Sequence, residues 1–253
     1  MALREKTLFL YGFEVTDNNK SLDFRAVSGG PILLATLTTG FYSLTSLAAE
    51  ITAALMAADP SNTYICSINR NISGGLQNRV TISTNGVYFD LLFSTGPRAA
   101  TSCRSLIGFN LIDYTGALTY TGASSAGTAL LTDFVVYSYL PPEMNRRVFG
   151  SVNVSVNGQK EAIAWNIQKF MSFNIKYEPE TKVKTDWANF LTWAIQMRPF
   201  EITPEFSTPA TFYPVTLETT GADGKGLAYR MTEMLPSFPF LYESGAMTFR
   251  VIE

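Results

Sequence analysis

Short strand-like segments separated by turn-forming residues recur along the whole chain and constrain its fold more than any other feature. Many are rich in aromatic and β-branched residues, and several alternate apolar with polar side chains, the period of two that favours β-strands. The clearest case is 152–163, where Asn157 and Gly158 stand between two alternating runs. An Asn-Gly pair in this setting is the strongest local signal for a β-hairpin. Further strands are predicted over 7–15, 22–27, 32–37, 64–69, 79–84, 87–93, 134–140, 165–177, 200–206, 212–219, 227–234 and 246–252.

Residues 44–58 instead predict a helix, because their apolar residues recur at helical spacing. Ser43 or Thr45 can cap its first turn, and Asp59 followed by Pro60 ends it. The face that should be buried consists of Leu44, Leu47, Ala48, Ile51, Leu55 and Ala58.

A second helix is predicted over 186–197, with Thr185 as its cap and Pro199 after its end. Its apolar positions also follow helical spacing. They are Trp187, Phe190, Leu191, Ala194 and Ile195.

These patterns predict a mainly β (α+β) fold, in which β-sandwich-type domains each pack against one helix. The Pro141-Pro142 pair suggests a boundary between an N-terminal β-rich domain, 1–140, and a C-terminal β-sandwich-like domain, 141–253. Strands before residue 37 could instead pair with strands after residue 132. In that alternative, residues 37–131 are inserted into a domain formed by 1–36 and 132–253.

The low share of charged residues bears on the surface of the protein. Charged residues make up 16% of the chain, against roughly 25% in typical soluble domains. Such a composition favours a protein built into an assembly, although β-rich proteins also use Ser, Thr and Asn in place of charge. The net charge is -2 and no block of like charge occurs. Broad or sequence-specific binding of nucleic acid and capture by an anionic membrane are therefore not expected.

Two features bear on where the protein is made. The first residues carry charges of both signs, and no uncharged apolar stretch approaches the roughly 18 residues of a membrane span. We therefore expect neither a signal peptide nor a membrane span, and assembly in a cytoplasm. We expect Cys66 and Cys103 to be reduced and packed, with a single disulfide as the alternative.

Histidine is absent from the sequence, which excludes catalytic triads and His-containing zinc sites. Three acidic residues, Glu178, Glu180 and Asp186, alternate with lysines and are more typical of a solvated loop than of paired catalytic carboxylates. The glycine-rich segment 221–226 lacks the spacing of a phosphate loop and predicts a hairpin tip. Residues 17–20 favour a turn over a calcium site. We therefore expect no enzyme activity, no cofactor, no metal and no small-molecule substrate.

Several sequence segments in the first half share one order with a known class of proteins. They are YGFEVTDNNKSLDF (11–24), GFYSLTSLAAEITAAL (40–55), YICSINR (64–70), LLFSTG (91–96), LIGF (106–109) and DYTGALTYTG (113–122). This order resembles that of virion structural proteins of tailed bacteriophages. In the second half, a Trp-rich helix followed by RPFEITPE (198–205) resembles a segment of tail-tip and distal tail proteins.

The resemblance implies a structural component of a phage tail, in the distal tail, baseplate or tube, assembled in the host cytoplasm. It would form a ring, as a hexamer or trimer, and contact other tail proteins. Head decoration, a connector role and carbohydrate or receptor binding remain alternatives. The expected assembly contacts are Tyr114 and Tyr120, in the uncharged segment 114–128, and Asn157 and Gly158 at the hairpin. Exposed tyrosines in that segment would also suit sugar binding.

Overall fold

The structure is a computed structural model that describes residues 5–10, 12–70, 78–127, 134–138, 143–203, 211–218, 232–233 and 240–252. It is mainly β with few helices, which confirms the predicted mainly β (α+β) class. The strands are β1 (Glu5–Leu10), β2 (Phe13–Val15), β3 (Ser21–Arg25), β4 (Leu33–Thr36), β5 (Gly40–Tyr42), β6 (Tyr64–Asn69), β7 (Arg79–Thr84), β8 (Phe89–Leu92), β9 (Asp113–Ala117), β10 (Thr119–Thr121), β11 (Phe134–Ser138), β12 (Glu143–Val154), β13 (Lys160–Ile175), β14 (Glu178–Pro179), β15 (Phe200–Thr203), β16 (Tyr213–Leu217), β17 (Thr232–Glu233), β18 (Leu241–Glu243) and β19 (Gly245–Val251).

The first of two apolar cores lies between helix α1 (Leu44–Ala58) and three antiparallel sheets. Their strand orders are β2-β5, β4-β3-β8-β9 and β10-β7-β6. Two short 3₁₀ turns, Ala99–Thr101 and Cys103–Ser105, connect β8 to β9. Phe24, Tyr64 and Phe89 meet edge to face at the centre of this core.

Helix α1 confirms the prediction over 44–58. Ser43 is the N-cap, and its side chain accepts a hydrogen bond from Ser46 N while the Ser46 side chain accepts one from Ser43 N. This reciprocal cap satisfies donors that a helix otherwise leaves unpaired. The predicted apolar face is buried except at Ala58, which is half-buried, and Ile51 and Leu55 are fully inaccessible to solvent.

The second core lies inside a seven-stranded sheet with the order β11-β1-β15-β16-β19-β13-β12. Ser138 of β11 also pairs with Ile175 of β13, so six of these strands close into a ring and β12 lies outside it. We call these six strands the closed sheet. Phe200 and Ile202 of β15 project into the core, as the alternation of side chains along a strand requires.

The second helix packs against this core but does not begin where the sequence predicted. Three consecutive helical segments, Glu180–Lys182, Val183–Trp187 and Ala188–Ala194, form helix α2, and the middle one is a π-helical turn. Thr185 is therefore not a cap; its hydroxyl donates to the Thr181 carbonyl inside the helix. The buried face includes Trp187 and Phe190.

The charged segment before residue 186 is helical from Glu180, and one ion pair lies within the helix while another links it to Glu178 of β14. Lys184 Nζ lies 2.6 Å from Glu180 Oε1, and Lys182 Nζ lies 3.3 Å from Glu178 Oε2, both at a spacing of four residues. Such pairs support a helix. The interpretation of this segment as a solvated loop was wrong.

Strand β1 pairs with β11 and β15 of the closed sheet, whereas β2 pairs with β5, and β3 pairs with β4 and β8. The chain thus leaves the closed sheet after β1, builds the first core and returns at β11. Gly12 stands at the exit, where a Cβ atom would lie 2.1 Å from the Pro199 carbonyl oxygen. The position of the domain boundaries stays a prediction.

Within the described residues, no helix has the length and apolar character needed to cross a membrane.

Candidate assembly site

The hairpin of β12 and β13 has many exposed side chains among its described residues. The two strands pair from Glu143 opposite Ser172 to Val154 opposite Lys160. Strand β19 covers the other side of β13 only from Phe170 to Ile175. Residues 145–169 therefore form a two-stranded extension of the closed sheet, which we call the ribbon. Among the described strands, none pairs with the outer edge of β12 or with β13 between 160 and 169.

The tip of the ribbon confirms the predicted hairpin. Ser155 N donates to Gln159 O at 2.9 Å, which encloses a three-residue loop. Gly158, the last loop residue, has a φ of +81°, a conformation that glycine adopts without steric cost. Three-residue loops of β-hairpins commonly end in such a left-handed residue. Asn157 and Gly158 are both exposed; their role as assembly contacts stays a prediction.

Large apolar side chains are exposed along the ribbon. Val148 is 62% exposed and Ile167, directly opposite on β13, is 53% exposed. Val154 and Val156 are exposed near the tip, and Ile163 on β13 is also exposed. A two-stranded hairpin is at best marginally stable in water by itself. This combination is typical of a surface that another protein covers.

In the part of the chain that the structure describes, the outer edge of β12 lacks the usual protection of edge strands. Proteins commonly guard such edges with charged residues, with proline or with a covering element. Residues 148–154 contain neither a charged residue nor a proline. The edge of β6 differs, because α1 lies beside it and Thr52 Oγ1 accepts a hydrogen bond from Cys66 N at 2.9 Å. Among the described elements, α1 thus covers the edge of β6, and none covers the outer edge of β12.

A groove of about 390 Å³ lies at the base of the ribbon, where β19 ends and β13 continues. Its lining combines polar and apolar side chains. It consists of Asn166, Ile167, Gln168, Lys169, Thr216, Arg250, Val251 and Ile252. The groove therefore borders the open edge of β13 directly.

The expected exposure of the tyrosines in 114–128 is wrong. Tyr120 is only 7% exposed, and its hydroxyl donates to the Phe89 carbonyl and accepts from Ala117 N. Tyr114 is half-buried and packs edge to face against Phe109 and Tyr120.

Tyr114 and Tyr120 are covered because the strands that carry them pair with other strands. Strand β9 pairs with β8 and β10 pairs with β7, so 113–121 joins two sheets above the first core. The alternation Thr119-Tyr120-Thr121 is the local signal for a strand with one buried side chain. Burial of Tyr120 removes the observation that favoured sugar binding here. The role of Tyr114 and Tyr120 as assembly contacts stays a prediction.

Other candidates from the sequence have structural roles or lie elsewhere. Lys20 Nζ pairs with Asp17 Oδ1 at 2.7 Å within a turn.

Both cysteines are free, and burial raises the pKa of each thiol to about 12, which disfavours the reactive thiolate. Across the described residues, no group of three or more acidic or cysteine side chains could hold a metal ion. The segment 221–226 lies outside the described residues.

A buried carboxylate that sequence reasoning missed joins the two cores. Glu201 of β15 is fully buried, and its Oε1 accepts from Thr45 N at 2.8 Å and from Thr45 Oγ1. Thr45 lies in the first turn of α1, where backbone N–H groups and the helix dipole favour a negative charge. Arg70 Nη2 lies 2.7 Å from the second carboxylate oxygen, and its guanidinium covers the ring of Phe212.

A second contact between the cores involves an arginine and two aromatic rings. The Arg198 guanidinium stands 4.1 Å from the ring centre of Phe41 and 4.9 Å from that of Trp193. The two rings also meet edge to face. Phe41 belongs to β5 of the first core, and Trp193 belongs to α2 of the second. Ionic and aromatic contacts therefore hold the two cores together.

Comparison with models of known protein families gives no match, and comparison with curated proteins gives no significant match. The residues and geometry of this chain are therefore the basis for assigning a function.

Proposed function

We propose that this protein is a structural component of a bacteriophage tail that assembles as a ring around the tail axis. The ribbon is the observation that supports the proposal most. It combines exposed Val148, Val154 and Ile167 with open backbone edges. An exposed edge of this kind is a template for pairing with another chain.

Two further features support a repeated assembly with this role. The chain is poor in charge, at 16% charged residues, as a protein largely covered by neighbours can be. The order of sequence segments in the first half resembles that of phage virion proteins. Rings arise from heterologous contacts, in which one surface of a subunit binds a different surface of the next.

The contacts between the two cores suit a ring subunit. Whether heterologous contacts close into a ring depends on a constant rotation from one subunit to the next. Glu201, Arg70 and Thr45 connect the cores through a buried charge pair and hydrogen bonds. A subunit held in this way presents its surfaces at a fixed angle.

Electron microscopy and sedimentation velocity of the purified protein test self-assembly. We expect rings from the wild-type chain and folded monomers from a variant in which an Asn-Gly turn replaces residues 148–167. Arg147 and Gln168 face each other directly, so a two-residue turn can join them. The matched control replaces Val87 and Tyr88, exposed on the first core, with serine and should still assemble. Rings from the shortened variant would exclude the ribbon, and monomeric wild-type protein would contradict self-assembly.

Fractionation of virions that encode this chain tests the tail assignment. Heads and tails are separated, and an antibody against the protein is applied to each fraction. We expect the protein with the tails. Its presence with the heads would favour a decoration or connector role instead.

A further inference from the structure

We infer that neighbouring copies join edge to edge, with the outer edge of β12 in one copy pairing antiparallel with the open edge of β13 in the next. The inference rests on the proposed self-assembly and specifies its contact. It commits to a second copy of this chain as the partner. The two surfaces are different, so the contact is heterologous.

The direction of hydrogen bonding in β13 follows from its neighbours. Glu218 N donates to Thr248 O at 2.9 Å, so even-numbered residues of β19 point toward β16. Hydrogen-bonding groups alternate in direction along a strand, and odd-numbered residues such as Phe249 therefore face β13. Phe249 is aligned with Met171, so odd-numbered residues of this part of β13 point toward β19. Beyond the end of β19, the N–H and C=O groups of Ile167 accordingly point to an open edge.

The outer edge of β12 is assigned in the same way. Ser155 N donates to Gln159 O across the ribbon, so odd-numbered residues near the tip direct their backbone groups inward. The groups of Val148, Gly150, Val152 and Val154 therefore point outward. A β-bulge shifts the register of β13 by one residue between Asn166, opposite Phe149, and Ala164, opposite Gly150. Nearer the tip, even-numbered residues of β13 therefore point outward, and among them is Ala162, which is aligned with Val152.

The ribbon thus has two open edges of similar length, 148–154 on β12 and 160–167 on β13. A symmetric contact between two copies of β12 would use one edge and leave both β13 edges open. Pairing of β12 with β13 of the next copy uses both edges of every subunit. An unpaired edge is a template for uncontrolled pairing with other chains. The second arrangement avoids this, because it leaves neither edge of the ribbon exposed within a closed ring.

The chemistry of the two edges is compatible with this pairing. Neither 148–154 nor 162–168 contains a charged residue, so no charge has to be buried along the main contact. Side-by-side ribbons that point the same way place β12 antiparallel to the neighbouring β13, which continues the antiparallel pattern of the hairpin. Val148 and Ile167 of adjacent copies would then extend one apolar stripe.

The ends of the contact are also defined by residues. At the base of each ribbon, Arg146 is aligned with Lys169. Pairing of neighbouring copies at this level would bring these positive charges side by side, which is unfavourable. The groove beside Lys169 leaves room where the neighbouring β12 enters. At the tip, Lys160 is aligned with Val154. Glu161 is the next residue of β13, and the uncharged stretch 162–168 beyond it is the part that pairs.

Two proline variants test the inference by blocking one edge each. Val152→Pro removes an outward N–H from β12, and Ala162→Pro removes one from β13, while both spare the hydrogen bonds inside the ribbon. The matched controls Val152→Thr and Ala162→Thr keep the N–H groups and should assemble normally. Val152→Lys provides a second block that keeps the backbone intact. Circular dichroism establishes that each variant is folded.

We expect each proline variant alone to lose all rings, as measured by sedimentation velocity. A mixture of the two should form dimers and nothing larger, because the intact β12 edge of one variant pairs with the intact β13 edge of the other. Dimers of Ala162→Pro alone would instead indicate a symmetric β12 contact and overturn the inference. Rings from either proline variant, or from Val152→Lys, would overturn it as well. A monomeric wild-type chain would refute the proposed self-assembly itself, which distinguishes the two failures.

Discussion

Replacement of Arg70 by methionine should destabilise the protein strongly, although Arg70 is partly accessible at the surface. Arg70 is the cation beside Glu201, which has no accessible side-chain surface. Methionine keeps most of the apolar stem but removes the guanidinium, which covers Phe212 and pairs with the Glu201 carboxylate. The expected loss therefore comes from an uncompensated buried charge.

The contacts of Glu201 determine the size of this loss. Removal of one partner of a buried pair costs about 3–5 kcal/mol. Thr45 still donates two hydrogen bonds to the carboxylate, and the first turn of α1 still favours its charge. We therefore expect a value near the lower end, about 3 kcal/mol, which corresponds to a fall in Tm of roughly 6–12 °C for a chain of this size.

Thermal and urea unfolding of three variants measure the effect. Arg70→Met and Glu201→Met are compared with the double variant, which removes the buried charge and its partner together. The double variant should lose about 2 kcal/mol less than the sum of the single variants, because the two residues are in contact. Lys20→Met is the control, since Lys20 pairs with an Asp17 side chain that is 83% exposed, and it should leave unfolding unchanged.

Two results would refute this reasoning. An unchanged Tm for Arg70→Met would mean that the hydrogen bonds of Thr45 alone satisfy the carboxylate. Additive losses in the double variant would mean that Arg70 and Glu201 stabilise the protein independently.

Three further outcomes are expected. Burial by itself raises the pKa values of Asp59, Asp90 and Asp113, but the hydrogen bonds that each carboxylate accepts outweigh it, and the pKa values lie below the usual 3.8. The stability they contribute is present above the unfolded value of about 3.9 and is lost as pH falls through the lower folded values; urea midpoints between pH 5 and pH 2 measure the loss, and Asp90→Asn should reduce its slope. Gly12→Ala should lower Tm, because the new Cβ would lie 2.1 Å from a backbone oxygen; an unchanged Tm would show that the exit from β1 is loosely packed. Ile51→Ala, at a fully buried position, should cost about 2–5 kcal/mol in urea unfolding, whereas exposed Met56→Ala should cost little.

Helix α1 could be predicted to the residue because its signals are local. A capping serine, an apolar face at helical spacing and a stop at Asp59 all lie within 43–60. Helix α2 could not, because no side chain caps its start. Its first turns depend on ion pairs of Lys182 and Lys184 and on the packing of Trp187 against strands that are distant in sequence.

The contact between the two cores was beyond sequence reasoning for a different reason. Glu201 stands in a strand between Phe200 and Ile202, where an acidic residue usually faces solvent. Its hydrogen-bond partner Thr45 is 156 residues away in the chain. Local periodicity shows that Glu201 lies on the face opposite to the core but not that α1 covers this face.

For the ribbon, the sequence predicts the hairpin turn but not the projection of the hairpin from the sheet. Asn157 and Gly158 identified the hairpin, since a turn is encoded by the residues that form it. They did not indicate that the hairpin projects, because projection depends on the length of the neighbouring strand. β19 ends at Val251, and β13 continues for ten residues beyond its last partner, Phe170. The open edges of the ribbon therefore result from the mismatch in length between two strands far apart in the chain. Among the described residues, α1 covers the edge of β6, whereas no strand pairs with the uncharged edge of β12. The proposed partner for this edge is a strand of a second copy, and the proline variants test which strand that is.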